Sequence, residues 1–341
     1  MKVVELDNSR DGAYRAFVAA HEQALVYHSL EYRNLLSKVT TGSARYLGCE
    51  DRSGALRGVL PMFQVEGAYG SVLNSLPYYG SHGGILADCP EARGALVAYY
   101  NMLVEQNGIA ASTMVANPFS DDDLADVAHN CLDSRIGQMS RIDAESDHED
   151  QLMRRYDTKT RNMIRKAEKV GVTVSSDLSS MKELQVIHEE NMIALGGTAK
   201  TQTFFAAVAE LFAPAGKCKV YTAVVEGKVA AALLVLFHGK VVEYFTPAVR
   251  KEYRSTQALS LIIYRAMIDA SRKGFLWWNW GGTWSSQNSL HLFKSRWGTE
   301  ERRYVYRTKV NNNALRSASA AELLREYPLT YVMPFSALKA D

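Results

Sequence analysis

Two hydrophobic rhythms run along this chain. A spacing of three to four residues between apolar positions predicts helices over residues 12–24, 26–39, 91–106, 121–131, 150–170, 181–195, 203–212, 257–272 and 287–296. Alternation and short apolar runs predict strands over 44–49, 56–64, 71–76, 109–116, 138–142, 219–226, 229–237, 241–246, 275–280 and 301–309. Ser29 is placed to cap the second helix, and Ser146 with Glu149 has capping-box spacing at the start of the fifth. Gly108, Gly171 and Gly274 each follow a predicted helix, where a left-handed residue ends it. The order strand–turn–strand–strand–helix–strand occurs twice, roughly 165 residues apart, which is the mark of a duplicated unit. The fold class expected is therefore α/β with mixed sheets, as two tandem domains, residues 1–145 and 146–341. Two such units side by side imply a cleft between them, a preferred place for a ligand.

The richest stretch chemically is GFLWWNWGGTWSSQNSLHLFKSRWG, residues 274–298, which holds all five tryptophans. It reads as a strand opening at Gly281-Gly282, then a polar loop, then a short helix ending in Phe293-Lys294. That order brings side chains and free backbone N–H groups to the mouth of a sheet. Lys294 beside aromatic rings is a candidate to stabilise a developing negative charge. Tryptophans on a strand are otherwise core, and a lysine near a helix end otherwise points to water.

Other candidates are scattered. Glu243 stands between Val241 and Phe245 on one strand face, opposite Tyr244. It is a general-base candidate for an amine proton, or else a structural ion-pair partner. His291 lies three residues before Lys294 on the same predicted helix face and is a candidate proton shuttle. In the glycine-rich loop PYYGSHGG, residues 77–84, His82 is a candidate to line a site. Tyr78, Tyr79, Tyr244 and Trp284 are candidates to stack on a sugar or base, or to be core. The predicted helix 150–170 carries seven Lys and Arg residues against Asp150, Asp157 and Glu168. Arg161 and Arg165 share a face there and suit phosphate, unless the run is merely a solvated face.

Composition narrows the partners. With 341 residues and a net charge of +2, no global attraction to DNA or to an anionic membrane is expected. The longest apolar run, 229–237, is too short for a bilayer, and the N-terminus has no signal-peptide apolar region. Cys49, Cys89, Cys131 and Cys218 show no metal spacing and read as reduced cysteines of a cytoplasmic protein. The eight histidines are dispersed, so no metal site is expected.

Three blocks carry a resemblance: VYHSLEYRNLL at 26–36, SLPYYGSHGGIL at 75–86, and the run from YDTKTRNMIRKAEKVGVTV to FKSRWG, 156–298. In order and spacing the chain resembles the tandem acyl-CoA N-acyltransferase (GNAT-like) fold of the Fem family, and its relatives labelled BioF2-like or CelD-like. The resemblance implies transfer of an acyl or aminoacyl group to an amine in cell-envelope biosynthesis, on a nucleotide-linked amino sugar or a peptidoglycan precursor. It also implies that Phe293-Lys294 matches the family's Phe-Lys pair, with Lys294 stabilising the oxyanion of the tetrahedral intermediate or the departing oxygen. Arg161 or Arg165 would face the phosphates of the acceptor. The chain departs from the family in two places. Arg254-Ser255-Thr256-Gln257-Ala258 lacks the glycine of a coenzyme A loop, and no coiled-coil arm for tRNA is present. The donor is thus open between acyl-CoA and aminoacyl-tRNA. A non-catalytic module that only binds a glycan precursor, and a tRNA-dependent enzyme acting on a small metabolite, are the alternatives.

Overall fold

The computed structural model describes residues 1–75, 83–284 and 286–334. In chain order the first elements are β1 (Lys2–Leu6), α1 (Asp11–Ala20), α2 (Leu30–Val39), β2 (Ser43–Ala44), β3 (Tyr46–Glu50), β4 (Leu56–Leu60), β5 (Phe63–Val65), β6 (Ser71–Asn74), β7 (Leu86–Ala87), α3 (Pro90–Val104), β8 (Ile109–Val115) and β9 (Cys131–Arg141). There follow α4 (His148–Arg155), α5 (Thr158–Lys169), β10 (Thr173–Ser176), α6 (Met181–Ala194), α7 (Gln202–Phe212), β11 (Cys218–Val225), β12 (Lys228–His238), β13 (Val241–Val249), α8 (Ala258–Arg272), β14 (Trp277–Thr283), α9 (Asn288–Ser295), β15 (Thr299–Val310) and α10 (Ala320–Glu326).

The chain divides into two compact units, residues 1–136 with 302–341, and residues 137–301. The sequence reading places the boundary at 145/146 and leaves the tail with the second half. In the structure the last segment goes with the first unit, and packing explains why. Residues Tyr306 to Val310 of β15 pair antiparallel with Val115 to Ala111 of β8. Leu315, Leu323 and Tyr327 then close over Val65, Val72, Ala110 and Ala111 as one apolar cluster.

In the first unit β1, β3, β4 and β7 form one sheet, and β15, β8, β6, β5 and β2 are neighbours in another. Helix α3 joins β6 to β8, which run parallel. Two local expectations fail here. Residues 121–131 are not helical, because Asp122 and Asp123 turn their carboxylates onto the N–H groups of Leu124 and Ala125. The N-terminal strand β1 was not anticipated; it is an edge strand, Lys2 to Leu6 against Glu50 to Tyr46. Tyr78, Tyr79 and His82 lie outside the described residues.

The second unit repeats the scheme. β10 to β13 form an antiparallel run, and α8 then crosses to β14, which lies parallel to β13. Leu261, Ile262, Ile263, Ala266, Met267 and Ala270 of α8 are all buried in one core with Trp278, Trp280 and Trp297. The predicted helix 150–170 is two helices. Tyr156 is extended, and Asp157 caps α5 by accepting from the Thr160 N–H at 2.7 Å. Asp147, not Ser146, caps α4. Ser29 caps α2 as expected.

Candidate active site

Three features of the second unit converge at one end of its sheet. The first is a divergence of strands. β13 and β14 pair only from Val241 with Trp277 to Glu243 with Asn279, although β13 continues to Val249 and β14 to Thr283. Just past the last pair, the β12–β13 register slips, with Val235 opposite Tyr244 and Leu234 opposite Thr246. The extra residue, Phe245, is a bulge, which bends its strand. Phe245 stacks on Phe204 of α7, while Tyr244 packs against Trp278 and Trp280 on the other face. The alternation expected around Glu243 is thus present.

The second feature is a break in the alternation of β14. The Trp280 indole donates to Ser140 at 2.9 Å, and the Thr283 hydroxyl donates to the Gln138 amide oxygen at 3.2 Å. Gln138 and Ser140 are two apart on β9 and share a face. Trp280 and Thr283 are three apart, and a regular strand would send them to opposite faces. Gly281, with φ +74°, supplies the missing step. The Gly-Gly pair is therefore a bulge inside the strand rather than its end.

The third feature is Lys294. It leaves α9 and runs inward, only 4% exposed, with its Nζ 2.8 Å from Thr283 Oγ1 and 3.4 Å from the Gly282 carbonyl. Burial pushes its pKa down to about 8, because a desolvated ammonium is disfavoured. Phe293 sits edge-on to Trp280, and near Trp297, at ring distances of 6.1 and 6.3 Å. The Phe-Lys pair thus divides its labour: the ring anchors the helix in the tryptophan core, and the ammonium is buried against Thr283 and the Gly282 carbonyl beside the strand bulge. Such a group can donate to an oxyanion in a dry site, where a hydrogen bond is strongest.

Glu243 is 2% exposed and accepts from the Asn279 amide at 3.1 Å, and Asn279 in turn accepts from the Gly281 N–H at 2.9 Å. Asn279 has no sequence signal, because an asparagine between two tryptophans carries no pattern of its own. His291 places its Nε2 2.6 Å from the Glu301 carboxylate, and its backbone carbonyl accepts from Gln138. Trp284 is half-buried, its backbone N–H donating to Gln287 Oε1. Arg161 is turned back on its own helix start, bonding the Tyr156 carbonyl and Thr158. Arg165 is exposed. A shallow groove of about 450 Å³ lies between α5 and Gln257, lined by Thr158, Lys159, Asn162, Met163 and Lys166. Among the described residues no cluster of three or more His, Cys, Asp or Glu could hold a metal ion. Nor is any helix there long and apolar enough to cross a membrane.

Comparison with known proteins locates this unit. Residues 154–286 match the family model of the acetyltransferase (GNAT) domain. The crystal structure of FemX matches with a TM-score of 0.72 at 15% identity, over 92% of this chain and 98% of that one. A tandem GNAT protein from the clavulanic acid biosynthesis pathway matches at 0.55 and 12%, over 90% and 97%. The C-terminal domain of a putative lysylphosphatidylglycerol synthetase from Agrobacterium fabrum matches at 0.57 and 11%, over 90% and 94%. No curated protein sequence matches the chain. At these identities the structural matches establish the fold.

GNAT domains use acyl-CoA, whose pyrophosphate sits against backbone N–H groups at a helix start. The corresponding turn here, before α8, has the left-handed residue but not the glycine. Gln257 holds φ +62°, and its side chain folds over the helix start, donating to the Arg254 carbonyl at 3.3 Å and lying 3.5 Å from Ser260 Oγ. A cradle that needs close backbone approach is occupied by a side chain, so this turn does not fit a pyrophosphate as it stands. Even so, the domain match and the fold agree: residues 154–286 match the GNAT acetyltransferase domain, which makes this unit that of an acyltransferase, and the chain as a whole has the fold of FemX and of tandem GNAT proteins.

Proposed function

We propose that this enzyme moves an acyl or aminoacyl group from an activated ester or thioester to an amine on a nucleotide-linked amino sugar or a peptidoglycan precursor, within cell-envelope biosynthesis. The observation that carries the proposal is the buried ammonium of Lys294, 2.8 Å from Thr283 beside the divergence of β13 and β14. Attack of an amine on the activated carbonyl creates a negative oxygen. A lysine N–H held in a water-poor pocket lowers the energy of that oxygen. The amine must also lose a proton. Glu243, buried one strand away and oriented by Asn279, is the base assigned to it, with His291 as the alternative shuttle. Lys159, Lys166 and Arg165 on α5 offer cations to the phosphates of the acceptor, and Arg161 stiffens the helix start that presents them. Phe293, Tyr244 and Trp284 supply aromatic surface. Tyr78, Tyr79 and His82 belong to the same reading by resemblance alone. The cytoplasmic setting is supported by four free cysteines.

The donor is acyl-CoA or aminoacyl-tRNA, and Gln257 in the turn before α8 favours the second. The test is direct. The full chain is incubated with a UDP-linked amino sugar or muropeptide and either acetyl-CoA or charged tRNA, and the acceptor is weighed by mass spectrometry. An added acyl or aminoacyl mass that Lys294→Ala abolishes supports the reading. Turnover by Lys294→Ala within a factor of two of the parent, with the fold intact, removes it. Thermal stabilisation by the acceptor, with neither donor consumed, points instead to a binding module.

A further inference from the structure

We propose that Gln138 and Thr283 are positioning residues for Lys294: they fix the direction of its Nζ, so that one bonding position of the nitrogen is always turned to the reacting carbonyl. The proposal rests on the acyl-transfer reading of Lys294 given above. Hydrogen-bond polarity sets each orientation in turn. The His291 carbonyl can only accept, so the group of Gln138 that faces it at 3.1 Å is the amide nitrogen. That leaves Gln138 Oε1 toward Thr283, at 3.2 Å. Oε1 can only accept, so the single hydroxyl proton of Thr283 goes to it. Thr283 Oγ1 then shows only lone pairs to Lys294, 2.8 Å away, and Nζ must donate. The Gly282 carbonyl, 3.4 Å from Nζ, also only accepts.

Two of the three free directions around a tetrahedral nitrogen are thereby set, and the third follows from geometry. In the ammonium form that third position is an N–H for an oxyanion. In the amine form it is the lone pair. Gln138 and Thr283 are both fully buried, so water does not compete for either of them. The two come together only because the left-handed Gly281 turns Thr283 onto the Gln138 face of β9. Among the titratable groups on the elements around Lys294 are His291 with Glu301, Glu243 held by Asn279, and Tyr244; β9 and β15 also carry Asp133 paired with Arg135, Arg141 paired with Asp143, and Glu300, Arg302 and Arg303.

The test uses the full chain labelled with ε-¹³C-lysine, the Lys294 resonance being assigned by its loss in Lys294→Arg. Its NMR titration midpoint is compared among the parent, Thr283→Val, Thr283→Ser and Gln138→Leu. In parallel, kcat and KM are measured with whichever donor and acceptor the parent turns over. In Thr283→Val the ammonium loses its nearest acceptor, so the midpoint falls by about one unit. With it kcat falls at least tenfold at little change in KM, and Thr283→Ser restores both. Gln138→Leu frees the Thr283 hydroxyl to rotate and lowers kcat with Thr283 intact, which keeps the test decisive if the valine variant fails to fold. A midpoint shift without loss of kcat overturns the proposal, as does a loss of kcat that serine does not restore. Should the parent turn over neither donor, the acyl-transfer reading fails by itself. The titration then decides alone: an unmoved midpoint in Thr283→Val and Gln138→Leu overturns the positioning role.

Discussion

Thr283 accepts a 2.8 Å hydrogen bond from Lys294, and both side chains are shut away from water. A buried ammonium is a standing cost to the fold. Its pKa is about 8 in the native state against an ordinary 10.5. Below about pH 8 both states hold the proton, and the native state bears the full desolvation. Between about 8 and 10.5 the unfolded chain binds more protons, so stability rises with pH across that window. Lys200, near the rings of Phe204 and Phe245, is pushed down to about 8 by burial as well and adds to the same slope. Lys294→Met is therefore expected to stabilise the protein at pH 7 by an amount on the order of a few kcal/mol, and to flatten part of the slope. The same variant should lose roughly 10²–10³ in kcat, the loss typical of removing an oxyanion donor. Urea titrations at pH 7 and pH 10, with a turnover assay, check both. A variant that loses activity and stability together would mark Lys294 as structural.

Gly281 is the backbone device that delivers Thr283. At φ +74° an alanine carries a left-handed penalty of roughly 1–2 kcal/mol. If the strand escapes that strain by returning to regular alternation, Thr283 leaves Gln138 and Lys294. Gly281→Ala should thus lower both stability and kcat. Gly282→Ala, at a glycine outside the positive-φ set, should affect each much less. Chemical denaturation of the two variants, with kcat for each, distinguishes them. Equal losses at both positions would show that the strand needs two glycines for space and not one for conformation.

The repeated strand and helix order was legible because alternation and helical spacing are local. The Phe293-Lys294 pair was legible by resemblance, and its burial was not, since a lysine near a helix end more often faces water. Gln138 and Asn279 carried no signal. Their roles arise from partners that fold brings together, Thr283 from 145 residues away and Glu243 from 36. The division of the helix at Asp157 did have a signal, an aspartate followed three residues later by Thr160. It was hidden by an unbroken basic run that reads as one helix. The return of the tail was not legible, because pairing of β15 with β8 depends on a long-range register that no window of sequence contains.

That return makes a prediction of its own. Tyr327 is fully buried, and its hydroxyl donates to the Gly70 carbonyl at 2.7 Å and accepts from the Tyr69 N–H at 3.2 Å. Tyr327→Phe keeps the ring and strands both backbone groups, for a loss of about 1–3 kcal/mol. Hydrogen exchange should localise the loss to β6, β8 and α10, and kcat should be unchanged. Exchange that quickens instead around Lys294 would contradict the assignment of the tail to the first unit.

Gln257 offers the sharpest test of the donor. Its left-handed backbone is a place where glycine sits without strain, and its side chain lies over the helix start that a pyrophosphate would approach. Gln257→Gly relieves the strain but loosens the unfolded chain, so the two effects offset and stability should change by no more than about 1 kcal/mol. Binding should change much more. With the side chain gone, a phosphate can approach the first turn of α8 beyond the Ala258 N–H, which Thr256 Oγ1 caps at 3.3 Å, and Lys159 and Lys166 line the adjoining groove. Calorimetric titration with coenzyme A should give a Kd at least tenfold lower for Gln257→Gly than for the parent. Turnover with charged tRNA, if that is the donor, should be unaffected by the substitution. A parent that already binds coenzyme A as tightly as the glycine variant would show that the side chain swings aside at no cost. The turn before α8 would then be an ordinary thioester-donor site, and the case for aminoacyl-tRNA would lose its structural support.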